Sequence, residues 1–274
     1  MAIWINDRSA DSFSLRFRVD NPVVEVATDA HSAIVIDNDR FGRLLILDGR
    51  LAATERGDVP LFEMLAHAPI LAHGAVRRVW VTGDPSGTLS RRLLMHDLTE
   101  VVRIAPDECL DKLARDHLAA LAGDVFADKR LTVATTDLHQ WLNRASGGFE
   151  LAVSGPNAPT LTQETVLSVK DTLNPGGLLV AALGQPDADP TILTDSYQML
   201  REMFVNVEFA RIACPARAGG EIALAFATDT KGLICPGTAR LFARLRAAKV
   251  NVTVYTPEWH KAAFALPACW LKAF

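Results

Sequence analysis

The apolar positions in the first part of the chain recur at every second residue. In residues 12–19 (SFSLRFRV), Phe13, Leu15, Phe17 and Val19 fall on one face, as in a half-buried strand. Residues 23–28 (VVEVAT) and 33–38 (AIVIDN) have the same character. The stretch FGRLLILDGRLAATE adds two short runs broken by Asp48-Gly49, a dipeptide suited to a hairpin turn. Together these runs predict a small antiparallel β-domain over residues 1–57. A sheet this thin is not stable alone, so it must pack on the rest of the chain or on a second copy.

After Asp58 the period changes. Residues 59–72 (VPLFEMLAHAPILA) have helical spacing, with Pro60 tolerable in the first turn. From Arg77 onward short apolar runs alternate with helical stretches. Strands are expected at 79–83, 100–105, 130–135, 149–155 and 176–183, and helices after Ser86 and over 107–121, 137–144, 161–172 and 190–204. Residues 206–213 and 221–228 read as a closing antiparallel pair. Repeated strand–helix units with continuously apolar strands define an α/β class. They predict a mainly parallel sheet covered on both faces, over residues 58–274. Such a sheet binds ligands beyond the carboxyl ends of its strands. Here that edge comprises residues 83–88, 105–107, 136–138 and 154–159.

Composition narrows the picture only a little. The 274 residues carry a formal charge of −4, and 49% are apolar. No broad basic patch points to nucleic acid or a membrane surface, and Arg77-Arg78 and Arg91-Arg92 read as short solvated pairs. No apolar run reaches the roughly 20 residues of a membrane helix. The N-terminal residues lack the order of a signal peptide, so a cytoplasmic protein is expected. Cys109, Cys214, Cys235 and Cys269 are scattered, which suggests neither zinc nor a redox motif. His67 and His73, six apart on a helix, face different ways and suggest no metal site.

Several segments together resemble the polyamine aminopropyltransferase (spermidine synthase) family. They are FGRLLILDGRLAATERGD with FEMLAHAPILAHG, LNPGGLLVA, and ARLRAAKVNVTVYTPEWHKAAFALP, of which HKAAFALP is the most specific. The resemblance runs from about residue 12 to 270. It implies a β-domain followed by a Rossmann-like, methyltransferase-type domain, assembled as a dimer or tetramer. It also implies transfer of an aminopropyl group from decarboxylated S-adenosylmethionine to putrescine. That reaction asks a site to hold two cations, align them and accept a proton, and carboxylates suit all three tasks.

Most of the carboxylates that the resemblance calls for are absent. The family's glycine loop corresponds to Gly83-Asp84-Pro85-Ser86-Gly87, with Ser86 at the position of its acid and Asp84 displaced by two. Ser86 there reads as a helix N-cap. The ribose-binding acid falls on Ala105, whereas Asp107 and Asp137 match family acids, the latter beside the adenine; both also suit helix N-termini. The family's Asp-x-x-Asp-Pro becomes Gly155-Pro156-Asn157-Ala158-Pro159, so the catalytic position is Gly155 and no catalytic residue is assigned. On the substrate side, His31 and Ala52 stand for two glutamines, Leu61-Phe62-Glu63 for Tyr-His-Glu, and Arg217 or Ala218 for a tyrosine.

The expected cofactor-side residues are thus Gly83, Asp84, Ser86, Gly87, Asp107 and Asp137, and the expected substrate-pocket residues are His31, Phe62, Glu63 and Ala158. Losing three charged partners removes on the order of 5–9 kcal/mol, about 10³- to 10⁶-fold in binding. Losing a general base costs a further ~10²- to 10⁴-fold in rate. The sequence therefore predicts a family scaffold with lost or much reduced aminopropyl transfer. The alternatives are an active divergent enzyme using Asp84, Glu63 and Asp137, or a non-catalytic partner of an active synthase subunit or binder of another nucleoside-type ligand. No cofactor is required, and decarboxylated S-adenosylmethionine or methylthioadenosine is the ligand implied by resemblance. His260 is expected to have a packing or capping role.

Overall fold

The computed structural model describes residues 2–9, 13–28, 31–189 and 191–274. Ser12 and Pro190, where two expected elements begin, lie outside the described residues. Two small antiparallel sheets open the chain. In the first, β1 (Ile3–Asp7) pairs with β2 (Leu15–Val19). The second runs in the order β3 (Asn21–Ala27), β4 (Ser32–Asn38), β5 (Gly42–Leu47) and β6 (Arg50–Thr54). Between β5 and β6, Asp48 and Gly49 take φ values of 52° and 74°, the double positive φ of a tight hairpin. The N-terminal region is therefore two sheets rather than one, and β1 was not foreseen. Phe13 lies outside β2 and is exposed, while Phe17 is buried as expected.

Helix α1 (Val59–His73) leads into the larger unit. Strands β7 (Arg78–Thr82), β8 (Glu100–Ile104) and β9 (Leu131–Ala134) alternate with α2 (Thr88–Leu93), α3 (Glu108–His117) and α4 (Ala119–Ala122). Helix α5 (Leu138–Leu142), β10 (Phe149–Ser154), α6 (Gln163–Thr172), β11 (Leu173–Gly184) and α7 (Ile192–Met203) follow. The closing pair is β12 (Asn206–Ala213) and β13 (Glu221–Thr228), and the chain ends with α8 (Thr238–Ala248), α9 (Pro257–Ala263) and α10 (Ala268–Leu271). The seven strands lie in the order β12-β13-β11-β10-β7-β8-β9. All pairings are parallel except those of β13 with β11 and β12.

Alternation along the central strands builds a core on each face. Val79, Val81, Leu151 and Val153 join α1 and α2 on one side. Trp80 and Ala152 join α5, α6 and α7 on the other. The small sheet meets α1 in the first of these cores, through Ala33, Val35, Leu45, Ala52 and Ala53. Its opposite face packs Ile36, Leu44 and Ile46 against Phe17. Both faces of this thin sheet are thus covered, which removes its instability.

Candidate functional site

The chain leaves β7 for β8 on one side and later returns with β10 on the other. The β7–β10 boundary is therefore the switch point of the sheet, where two strand-end loops part and a crevice opens. The loop after β7 begins at Gly83 and the loop after β10 at Gly155. They touch closely. A Cβ on Gly83, whose φ is +70°, would lie 2.3 Å from the backbone nitrogen of Ala158. The Gly155 N–H donates to the Thr82 carbonyl at 2.9 Å.

A cavity of about 310 Å³ opens over this edge. Its wall includes His31, Gly83, Asp84, Arg103, Asp107, Asp137 and Ala158, with apolar cover from Leu47, Ile104, Leu110, Leu138 and Pro159. A second cavity of about 540 Å³ adjoins it. Residues 157–159 line both. The second also meets Ser9, Arg50, Ser154, Gln185, Ser196 and Arg217, with the exposed Asp189 and Asp195 at its edge.

Most acids of the first cavity are already engaged. Asp84 is fully buried and accepts from the backbone N–H of Leu89 (3.1 Å) and Ser90 (2.8 Å) and from the Ser90 hydroxyl (2.8 Å). It thereby caps the N-terminus of α2, the role expected of Ser86. Ser86 instead bonds to Thr88 Oγ1 at 2.8 Å. Burial pushes the Asp84 carboxyl above its ordinary pKa, against the pull of Arg103 and these hydrogen bonds. Asp107 caps α3 through Cys109 and Leu110, and its other oxygen accepts from Thr28 at 3.3 Å. Asp137 caps α5 with Oδ1 on the Gln140 N–H (2.8 Å) and has no hydrogen bond at Oδ2 among the described residues. His31 bonds to Asp48 at 2.8 Å.

Several expected pocket residues sit elsewhere. Glu63 is fully buried and accepts from the N–H groups of Thr253 (2.7 Å), Val254 (2.8 Å) and Tyr255 (2.8 Å). Arg92 approaches it to 3.3 Å, so Arg92 is a structural partner rather than a solvated charge. Glu63, Phe62, Ser86 and Gly87 line neither cavity. Phe62 instead belongs to the core, because α1 is covered on every side. Arg217 is buried and forms a fork to Asp58, with both contacts at 2.9 Å. It also donates to the carbonyls of Leu51 and Ala52. Its charge is therefore matched at once and ties the small sheet to the loop after β12.

Sequence reasoning passed over Arg103. It lies in β8 with its side chain 2% exposed, donates from Nε to the Asp84 carbonyl at 2.9 Å, and pairs through Nη1 with Asp111. The available signal was a single arginine inside the apolar run EVVRIA. A charge within a strand covered on both faces needs a partner or a ligand.

The comparisons identify the fold and the family. The family model described as "Spermine/spermidine synthase domain" matches residues 60–233. The polyamine aminopropyltransferase of Shigella sonnei (strain Ss046) is 32% identical over 264 residues, covering 94% of this chain and 92% of that one. That of Enterobacter sp. (strain 638) is 31% identical, covering 97% and 94%. Among solved structures, the spermidine synthase of Thermotoga maritima superposes with a TM-score of 0.91 at 21% identity, covering 99% of this chain and 94% of that one. A spermidine synthase in complex with the transition state analogue AdoDATO gives the same TM-score at 20% identity. The chain has the Rossmann-like, mainly parallel fold of these proteins. It belongs to the spermine/spermidine synthase family.

Proposed function

We propose that this protein is a spermidine synthase-like member of the family that keeps a nucleoside-type cavity and has lost, or nearly lost, aminopropyl transfer to putrescine. The observation that carries this reading is Gly155. It stands where the resemblance places the catalytic acid, and a Cβ there would lie 2.7 Å from the Gly83 carbonyl oxygen and 3.0 Å from that of Thr82. The loop has closed over the space in which such an acid would begin. The second acid position, Ala158, brings no charge. The acids that could compensate, Asp84 and Glu63, are spent on α2 and on residues 253–255. The remaining acids of the second cavity, Asp189 and Asp195, are exposed at its edge and occupy neither the Gly155 nor the Ala158 position.

The cavity at Asp107 and Asp137 supports the nucleoside half of the reading. Its volume is at the lower end of the roughly 300–1,000 Å³ typical of small-molecule sites. Apolar walls and the free Oδ2 of Asp137 suit a flat base carrying an amino group. The test combines calorimetry with methylthioadenosine, decarboxylated S-adenosylmethionine and putrescine with an assay for spermidine. Nucleoside binding without putrescine binding or turnover is expected. Turnover comparable to that of an active family member would overturn the reading.

Assembly belongs to the same proposal. Ile3, Trp4 and Phe13 are large apolar side chains exposed on the N-terminal region, and they suit a homo-oligomeric contact or pairing with an active synthase subunit. Light scattering of the purified chain, alone and mixed with an active synthase, tests both. A monomer that ignores the synthase counts against them.

A further inference from the structure

A guanidinium carries five N–H donors in a rigid fork. In Arg103, Nε is committed to the Asp84 carbonyl and Nη1 to Asp111. Nη2 has no hydrogen-bond partner among the described residues. Nor is it among the occluded atoms that lack one, which are Asp7 Oδ2, Thr54 Oγ1 and His67 Nε2. The side chain is 2% exposed and lines the 310 Å³ cavity, so the open side of Nη2 is that cavity. The Phe126 ring lies 5.5 Å from Cζ, and with the two committed nitrogens it fixes the plane of the fork.

A charged donor that lines a cavity and has no protein acceptor favours a ligand that brings one. An ammonium or sulfonium placed against it would add repulsion. Arg103 also stands 20 positions after Gly83, the loop glycine, toward the end of the second strand of the parallel unit. In Rossmann-like folds that is the region where ribose oxygens are read. A phosphate is a poor candidate for the acceptor, because Asp84, Asp107, Asp111 and Asp137 line the same cavity against one arginine. Those acids and that donor together suit a neutral ligand that offers an oxygen inward and polar hydrogens outward. A ribose diol does both.

We propose that Arg103 is a specificity-determining residue of this cavity, with Nη2 donating to a hydroxyl oxygen of a neutral nucleoside. This rests on the nucleoside reading above. It reverses the polarity that a carboxylate would give this wall, because the protein here demands an acceptor rather than a donor.

The test needs only the intact chain. Calorimetric titration with adenosine, 2′,3′-dideoxyadenosine and adenosine 2′-monophosphate varies the ribose and keeps the base. Adenosine is expected to bind at least about tenfold more tightly than the dideoxy compound, the effect of a hydrogen bond to a charged group. It is also expected to bind more tightly than the phosphate ester. In Arg103→Gln, checked for its fold by circular dichroism, the gap between adenosine and dideoxyadenosine should shrink to within about threefold. Equal binding of adenosine and dideoxyadenosine by the native chain would overturn the role of Arg103 and leave the nucleoside reading standing. Tighter binding of the phosphate ester would overturn the neutral class. Binding of none of the three would overturn both readings together.

Discussion

Gly155 and Asp58 show how far single residues have committed this site. Adding a methyl group at Gly155 forces the strand-end loops apart, because both opposing atoms are backbone oxygens that cannot swing away. Gly155→Ala is therefore expected to destabilise the chain by about 1–3 kcal/mol in chemical denaturation, as overpacking does. By the same geometry, Gly155→Asp with Ala158→Asp should not restore spermidine formation, since the first carboxylate has no room to enter as the loops now lie. Recovery of turnover in that double variant would show that the loops open freely. Asp58 is the counter-charge of the buried Arg217. Asp58→Ala leaves an uncompensated cation in the interior and is expected to cost about 3–5 kcal/mol, measured as a lowered urea midpoint. An effect under about 1 kcal/mol would mean that the clamp contributes little.

At the scale of elements, the acids are distributed between helix ends and backbone ties. Asp137 caps α5 and keeps one oxygen open to the cavity. Asp137→Ala should cost about 1 kcal/mol through the lost cap and also weaken nucleoside binding; Asp137→Asn should keep most of the cap and still weaken binding. Unchanged calorimetric affinity in both would remove Asp137 from the site. Glu63 ties α1 to residues 253–255 through three N–H donors. Glu63→Ala should therefore raise hydrogen exchange and protease sensitivity over residues 250–274, with little change near Asp137. The order of strands and helices was legible because short strand-length apolar runs alternate with longer helix-length stretches along this chain, whereas the positions of the missing acids rested on the family resemblance alone. The use of the surviving acids was not legible. Glu63 and Asp84 look like site residues in one dimension, and only three-dimensional packing shows that backbone amides far along the chain or one turn into α2 have claimed them. Strand β1 was hidden because five residues, IWIND, carry too little pattern to stand out.

Across the whole molecule, three buried histidines contribute to the response to acid. His67 and His96 hydrogen-bond to each other at 2.8 Å, and burial lowers them to about 3 and about 4. The neighbouring charges on the same side are Arg92 and the buried Glu63, from α2 and α1. His260, from HKAAFALP, is lowered to about 4, again by burial. Its Nε2–H donates to the Ile234 carbonyl at 3.0 Å, so Nδ1 is the acceptor for the Tyr255 hydroxyl at 2.9 Å. Each group binds a proton more readily in the unfolded chain, where its pKa is near 6.5. Stability is therefore fully present above about pH 6.5 and falls as the pH drops toward 4. Asp84 and Glu208, whose carboxyls burial raises, act in the opposite sense over part of that window, so the net slope alone does not isolate the histidines. His260→Gln does. A glutamine amide can donate to Ile234 and accept from Tyr255 but cannot take up the proton. The variant should differ only modestly from the native chain at pH 7, and the loss of stability between pH 7 and pH 4 should be smaller by up to about 3 kcal/mol. Parallel urea titrations at the two pH values read this directly, and an equal loss in both proteins would show that His260 is not held neutral by its surroundings.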